Sequence, residues 1–244
     1  GNVTVNDLIT TANSGTITLN GAANTFVAAV DFLNTGLVTL GDAGTDSSTF
    51  AGGVAFGGNA ASALQGAFVT TNTNANFGAG GVTLGADTTI TTGAGAGDIA
   101  FGAGIAGAFD LGLTAGTGAV TVATTTNITD LTLTSATSNT FTGNVTVNDL
   151  ITTANSGTIT LNGAANTFVA AVDFLNTGLV TLGDAGTDSS TFAGGVAFGG
   201  NAASALQGAF VTTNTNANFG AGGVTLGADT TITTGAGAGD IAFG

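Results

Sequence analysis

The 244-residue chain has no lysine, arginine, histidine, cysteine, proline, methionine, tryptophan or tyrosine, and all 14 of its acidic residues are aspartate. The absence of cysteine excludes disulfide bonds and thiolate metal sites. The absence of lysine and arginine, with a net charge of −14, excludes nucleic acid as a partner because nothing can neutralise the phosphate groups. For the same reason, no two side chains of this chain can form a salt bridge.

Catalytic groups are equally scarce. Serine and threonine are present, but there is no histidine or lysine to activate them as nucleophiles. Aspartate is the remaining acid or base, and glycoside hydrolysis requires two carboxylates about 5–9.5 Å apart. Asp42 and Asp46 are close in sequence, but they belong to a glycine-rich segment that is typical of a turn. We therefore expect that the protein is not an enzyme and has no organic cofactor.

Long hydrophobic runs are also missing. The longest, IAFGAGIAGAF at residues 99–109, is too short and too rich in glycine to cross a membrane, so we expect no membrane span. Hydrophobic residues nevertheless make up 43% of the chain and recur at regular places, which excludes a disordered chain. Collagen is excluded because glycine has no three-residue period and proline is absent.

What the chain does contain is a long repeat. Residues 1–102 are identical to residues 143–244, while residues 103–142 occur once, so the sequence repeats with an offset of 142 positions. Identical tandem units indicate one continuous repeat domain over residues 1–244. We expect the chain to be either a window of a longer array or a discrete protomer that meets its neighbours end to end.

Within the unit, hydrophobic residues alternate with threonine. In GTITLNG, Ile17 and Leu19 fall on one face of an extended segment, and Thr16 and Thr18 fall on the other. This period of two is typical of short half-buried strands, and the glycine, asparagine and aspartate clusters between them are typical of corners. The pattern predicts an all-β chain without helices. Repetition favours a β-solenoid, a parallel β-helix, over a closed barrel or sandwich, because only a solenoid extends by unit duplication.

Phenylalanine supplies a hypothesis for the coils of this solenoid. Five segments per unit begin with a phenylalanine, at intervals of 24 to 32 positions. These intervals predict about five coils, each of roughly 24–32 residues, in one 142-residue unit. Stacking these coils predicts three interior ladders. They comprise Phe26, Phe50, Phe77, Phe109 and Phe141; Val30, Val54, Val82, Leu113 and Val145; and Phe32, Phe56, Leu84, Ala115 and Val147. Apart from Asp98 and Asp130, which share an offset, the aspartates fall at different offsets from these phenylalanines, so we also expect their carboxylates to be scattered and not to stack.

The segments TITLNGA, GLVTLGDAGTD and STFAGGVAF resemble the repeat regions of filamentous haemagglutinin-like proteins and giant bacterial surface adhesins. The resemblance implies a right-handed β-helix, export to the cell surface, and a role as a stalk, adhesin or extracellular fibre. That family usually carries some lysine and arginine, and its repeats are usually degenerate. The perfect long repeat therefore favours a fibre or sheath component over a ligand-specific adhesin.

Two kinds of segment are candidates for binding. GDAGTDSS at residues 41–48, repeated from Gly183, provides oxygen ligands of the kind that calcium prefers. The candidate calcium ligands are Asp42, Asp46, Asp184 and Asp188. The alternative is that these aspartates only form a solvated turn. Threonine pairs in Thr16–Thr18, Thr88–Thr92 and Leu131–Thr134 are candidates for an ice-binding row, or for ordinary strand surface.

Together these patterns predict a non-enzymatic structural protein. We expect a secreted β-solenoid that builds an extracellular filament, tube or sheath through head-to-tail and lateral contacts with copies of itself. Cell-surface or matrix polysaccharide is a further candidate partner. Acid or millimolar calcium is expected to tighten lateral packing by reducing the negative charge. The alternatives are the stalk of a giant cell-surface adhesin, and a calcium- or ice-binding solenoid module.

Overall fold

The computed structural model describes residues 1–58, 60–200 and 202–244. Throughout these residues the chain forms strands joined by turns and bends, with no helix. These residues therefore contain no helix that could span a membrane. The strands are β1 (Thr4–Val5), β2 (Ile17–Leu19), β3 (Ala23–Phe26), β4 (Val30–Asp31), β5 (Val38–Leu40), β6 (Ser47–Phe50), β7 (Val54–Ala55), β8 (Ser62–Thr70), β9 (Ala75–Asn76), β10 (Val82–Thr91), β11 (Ile99–Phe101), β12 (Ile105–Ala106), β13 (Leu111–Thr114), β14 (Ala119–Val122), β15 (Thr126–Asn127), β16 (Asp130–Ser135), β17 (Ser138–Phe141), β18 (Val145–Val147), β19 (Asp149–Thr152), β20 (Thr158–Leu161), β21 (Ala165–Phe168), β22 (Val172–Asp173), β23 (Val180–Leu182), β24 (Ser189–Phe192), β25 (Val196–Ala197), β26 (Ser204–Thr212), β27 (Ala217–Asn218), β28 (Val224–Thr233) and β29 (Ile241–Ala242).

The strands pair in parallel, and each pairs with strands one coil before or after it. Paired residues are between 19 and 24 positions apart, as in the pairs Asp130↔Asp149 and Ala23↔Ser47. The chain thus winds through about 11 coils at a spacing of about 21 residues. The predicted all-β parallel solenoid is confirmed. The right-handedness implied by the resemblance stays a prediction.

A complete coil has three strands, so the solenoid has three faces, which the chain visits in the order 1, 2, 3. The first coil, with β1 and β2, has no strand on face 2. Face 1 contains β1, β3, β6, residues 67–70 of β8, residues 88–91 of β10, β13, β16, β19, β22, β25, β27 and β29. Face 2 contains β4, β7, β9, β11, β14, β17, β20, β23, residues 204–206 of β26 and residues 224–226 of β28. Face 3 contains β2, β5, residues 62–64 of β8, residues 82–84 of β10, β12, β15, β18, β21, β24, residues 209–212 of β26 and residues 230–233 of β28.

On face 1, β19 and β22 are connected through hydrogen bonds of a side chain. The Thr152 hydroxyl donates to the carbonyl of Asp173 at 3.1 Å and accepts the N–H of Leu175 at 2.8 Å. Corners between faces are tight, and Gly66 is an example. It lies where β8 passes from face 3 to face 1, with φ of +81°, and a Cβ there would approach the Asp46 carbonyl oxygen to 2.2 Å. Only glycine fits that corner without strain.

Aromatic rings stack along the interior of two faces in the first copy. On face 1, the ring of Phe50 lies 4.8 Å from that of Phe26 and 4.9 Å from that of Phe68. On face 2, the column runs from Phe32 through Phe56 and Phe77 to Phe101, with centroids 4.7–5.3 Å apart. Each buried ring contributes roughly 2–3 kcal/mol through the hydrophobic effect, so these columns form a large part of the core.

The coil lengths predicted from phenylalanine are wrong, although three of the predicted neighbours are correct. Stacked partners lie 19 to 24 positions apart in the sequence, whereas the prediction is 24 to 32. Phe26 and Phe50, Val30 and Val54, and Phe32 and Phe56 do stack as predicted. The remaining members of each predicted ladder are scattered over other faces. Phe77 and Phe141 are on face 2, Val82, Leu84, Val145 and Val147 are on face 3, and Leu113 is on face 1 with Ala115 directly after it.

The physical reason is that phenylalanine does not mark a fixed point of the coil. One coil carries Phe26 at the end of a face 1 strand and Phe32 directly after a face 2 strand, and both rings are fully buried. Phe109 lies before a face 1 strand and is 37% exposed, so it belongs to no interior ladder. Spacings between phenylalanines therefore mix whole coils with fractions of a coil.

The two identical copies occupy different faces. Strand β3 lies on face 1, whereas its equivalent β21 pairs with β18 and β24 on face 3. Counting β8 and β10 as two strand positions each, 20 positions separate β3 from β21, and three positions make one coil. The 142-residue unit therefore spans six and two-thirds coils. The second copy is therefore rotated by a third of a turn about the solenoid axis relative to the first.

Buried asparagines satisfy the backbone at the LNGAAN corners. In the second copy, the Asn166 side chain accepts the N–H of Val145 at 3.0 Å and donates to the carbonyls of Leu161 at 3.4 Å and Gly163 at 3.1 Å. Asn24 makes the equivalent bonds to Val3, Leu19 and Gly21. One side chain thus links two coils and closes its own corner.

Replacing this asparagine is expected to destabilise the fold measurably. Asn166→Ala leaves one N–H and two carbonyls of a buried corner without their partner, and each unsatisfied buried group costs about 1–3 kcal/mol. We expect a loss of about 2–4 kcal/mol in the free energy of unfolding, measured by urea titration of circular dichroism. Asn155→Ala, at an exposed position, is the matched control and is expected to change it by less than about 0.5 kcal/mol. Equal effects of the two variants would contradict this role.

Candidate functional surface

The first candidate site is the turn at residues 41–46, between β5 on face 3 and β6 on face 1. The Asp46 carboxylate is buried, and its Oδ2 atom accepts the N–H of Asp42 at 2.8 Å and that of Ala43 at 3.1 Å. The bond from Asp42 is the main reason that the pKa of Asp46 lies below its ordinary value, while burial opposes this effect. The carboxylate therefore closes the turn as a backbone acceptor.

The second copy repeats this geometry. Asp188 accepts the N–H of Asp184 at 2.8 Å and that of Ala185 at 2.9 Å. The structure thus brings the two predicted calcium ligands of each copy into one turn, and Asp42 lies on its exposed side. Over residues 1–58, 60–200 and 202–244, no three aspartates converge on a shared metal position. The Oδ2 atom of Asp46 is already engaged by two N–H groups, and calcium binding stays a prediction.

The second candidate surface is one that the sequence patterns do not predict. Asp87, Asp110, Asp130 and Asp149 stand at the beginning of the face 1 segment in four successive coils, and we name them the aspartate column. The residues that follow them are in register, through the pairs Thr88↔Leu111, Leu111↔Leu131 and Leu131↔Leu150. Asp130 and Asp149 are themselves paired.

Side chains bond the coils together along this column. The N–H of Asp110 donates to Oδ1 of Asp87 at 3.1 Å, and the N–H of Asp149 donates to Oδ1 of Asp130 at 3.0 Å. The Asp110 carboxylate accepts the N–H of Asp130. The Asn148 amide also donates to Oδ1 of Asp130, at 3.0 Å. Each of the first three carboxylates thus holds the backbone of the next coil.

The column has an unfavourable electrostatic environment. Burial raises the pKa of the Asp110 carboxyl, and the negative charges of Asp130 and Asp87 raise it further. Burial also raises the pKa of Asp149, again with a contribution from Asp130. The expectation that carboxylates do not stack is wrong for these four residues. It depends on offsets from phenylalanine, which do not correspond to positions within a coil.

The threonines of these segments do not all face outwards, since Thr88 and Thr92 are buried, and the exposed ones do not line up in an unbroken row. Thr16–Thr18 overlaps β2 on face 3, whereas the other two segments lie on face 1. On face 1, Gly112 lies between Thr89 and Thr132 in adjacent coils and leaves a gap in the row. A groove of about 390 Å³ crosses this region. Ice binding stays a prediction.

Two further grooves show how the repeat displays its surface. One, of about 530 Å³, lies on face 2 and is lined by Asp31, Thr73, Asn74 and Asn76 among small residues. Its equivalent in the second copy, of about 550 Å³, is formed by residues 142 positions later and lies on face 1. The same surface is thus presented in two directions.

Comparisons of the chain with protein-family models, curated proteins and solved structures each found no match.

Proposed function

We propose that this protein is a structural, non-enzymatic element whose β-solenoid lengthens by addition of 142-residue units. The observation that supports this most strongly is the junction at residues 142 and 143. Strands β18 and β20 of the second copy stack on β15 and β17 of the first with the same parallel register as elsewhere. The interior remains filled across the junction, with Phe141 and Leu161 paired and fully buried. A unit can therefore follow a unit without a cap or linker.

The same geometry gives the proposed element a calculable length. Coils of a parallel solenoid are about 4.8 Å apart, so one unit of six and two-thirds coils adds about 32 Å. We propose that such rods form an extracellular filament, tube or sheath at the cell surface, through head-to-tail and lateral contacts between copies. An open end of a parallel solenoid presents unpaired N–H and C=O groups that another copy can extend. The absence of lysine and arginine removes trypsin-type cleavage sites, which suits exposure outside the cell.

The non-enzymatic part of the proposal is supported by composition. The chain has no histidine, lysine, arginine, cysteine or glutamate, so aspartate is its only conventional acid–base group. The stalk of a cell-surface adhesin is a second candidate, because a rod that gains about 32 Å per unit also suits a spacer. Polysaccharide is retained as a candidate partner for either role.

Rod length tests the structural proposal directly. The 244-residue chain is expected to be about 50 Å long, and a chain lengthened by one further 142-residue unit about 85 Å. Small-angle X-ray scattering measures both lengths, and negative-stain electron microscopy shows whether rods join into filaments or sheets. A maximum dimension that does not grow with the added unit would contradict the extendable rod. Dispersed rods at all concentrations would contradict self-assembly and favour the stalk.

A further inference from the structure

The aspartate column runs through four successive coils of face 1. Consecutive members lie one coil apart, about 4.8 Å along the solenoid axis. Charges at that separation interact strongly even when they are partly solvated. The column is therefore a place where coil stacking and charge repulsion oppose each other.

No side chain of the chain can neutralise this charge, because lysine, arginine and histidine are absent. The other ionisable groups near the column are also aspartates. In the coils before it, Asp46 directs its carboxylate to its own turn. In the coil after it, Asp173 lies on face 1 and accepts the N–H of Gly199 at 2.8 Å. Protons and dissolved cations are therefore the counter-charges available to the column.

We propose that the aspartate column is a proton-operated clamp, which holds its four coils together tightly in acid and loosens them when all four carboxylates are ionised. A protonated carboxyl gains an O–H donor, and a neighbouring ionised carboxylate can accept it. The geometry along the column fits this role, because Asp110 follows Asp87 by one coil and Asp149 follows Asp130 by one coil, each bonded through its N–H to the preceding carboxylate. This regulation goes beyond the proposed structural function.

The direction of the pH effect follows from the one-coil separation of these like charges, and the raised pKa values of Asp110 and Asp149 agree with it. A carboxyl with a raised pKa in the folded protein binds its proton more tightly there than in the unfolded chain. Its stabilising contribution is full below the unfolded value of about 3.9 and is lost as the pH rises through the folded value. Asp46 acts in the opposite direction, because its lowered pKa gives stability that is lost in acid. The column must therefore be measured as a difference between variants.

The double variant Asp110→Asn and Asp149→Asn removes two charges while keeping an Oδ1 acceptor and nearly the same shape. We expect its melting temperature at pH 7 to exceed that of the original chain by about 2–4 °C. Near pH 3, where the original carboxyls are protonated, we expect the difference to vanish. Sodium chloride at about 1 M should raise the melting temperature of the original chain at pH 7 more than that of the variant, because it screens the repulsion.

Asp98→Asn is the matched control. Asp98 also bonds the next coil, through the N–H of Ala119 at 2.8 Å, but the aligned residue of that coil is not an aspartate. Its substitution is expected to change the melting temperature at pH 7 by less than about 1 °C.

Carboxyl carbon NMR titration of the original chain gives a second measurement that does not depend on the variants folding. The signals of Asp110 and Asp149 are expected to titrate above about 3.9, the value of an aspartate in an unfolded chain. Titration of both at or below about 3.9 would overturn the clamp. So would a folded double variant that is no more stable than the original chain at pH 7. Neither result would affect the rod-length test of the proposed function.

Discussion

Deletion of residues 103–142 is expected to give a folded 204-residue solenoid that is shorter by two coils. The segment contains the six strands β12–β17, two on each face, so its removal takes out two complete coils. Every later strand then returns to the face that it occupied before. The number of residues between Phe101 and the next strand is also unchanged, because Gly143 and Asn144 take the places of Ala103 and Gly104.

The new interior contacts created by this deletion are favourable. Val145 comes to lie on Val82, because both belong to the same face 3 register line through Ile105 and Thr126. On face 2, Ile159 and Leu161 come to lie on Ile99 and Phe101. We expect circular dichroism of unchanged shape and cooperative unfolding. The urea m-value should fall by about a sixth, the fraction of the chain removed, because it scales with the surface exposed on unfolding.

Deletion of residues 103–132 provides the contrast. It removes about one and a half coils and ends within β16, so later strands would meet corners of the preceding coil instead of strands. We expect this shorter deletion to be more damaging than the longer one, with a loss of cooperative unfolding. Both chains are to be compared by urea denaturation and by scattering. If the 30-residue deletion is as stable as the 40-residue deletion, whole coils are not the units of this fold.

The strands and corners of this fold follow from the sequence because they depend on neighbouring residues. Alternation in TITL places Ile159 and Leu161 inside with no exposed surface, and LNGAAN forms the corner that Asn166 completes. Parallel stacking also follows, since identical units must bury the same face against one another. These features are set by short segments, within which hydrophobic period and turn chemistry can be read directly.

The length of the coil cannot be read in the same way. Phe26, Phe32 and Phe50 all point inwards, but they occupy two faces, so equal side chains do not imply equal positions. The 142-residue repeat does not reveal the coil length either, because it contains six and two-thirds coils and places equivalent strands of the two copies on different faces. The aspartate column could not be predicted from the sequence for this reason. Asp130 and Asp149 can be recognised as neighbours only when the length of their coil is known. Asp46 closes its turn by accepting the N–H of Asp42, and calcium binding there stays a prediction.

The largest effect of a single substitution is expected at Phe50. Its fully buried ring contacts those of Phe26 at 4.8 Å, Phe68 at 4.9 Å and Phe32 at 6.2 Å. Phe50→Ala removes the central ring of the column and leaves a cavity between coils that neighbouring strands hold apart. Such substitutions cost about 3–5 kcal/mol. We expect a loss of this size in the free energy of unfolding, measured by urea titration.

The second copy offers an internal control for this substitution. Phe192 is the same residue in the same sequence but on face 3, with ring contacts to Phe168 at 4.8 Å and Phe210 at 5.0 Å. If the two copies have the same interior packing although they lie on different faces, Phe192→Ala must lower the free energy of unfolding by the same amount as Phe50→Ala, within about 0.5 kcal/mol. The losses from the two substitutions must also add. Phe109→Ala, at a ring that is 37% exposed, should cost about 1 kcal/mol or less. Unequal losses at the two buried rings would mean that the three faces are not equivalent environments, and that a unit is not free to rotate as the array extends.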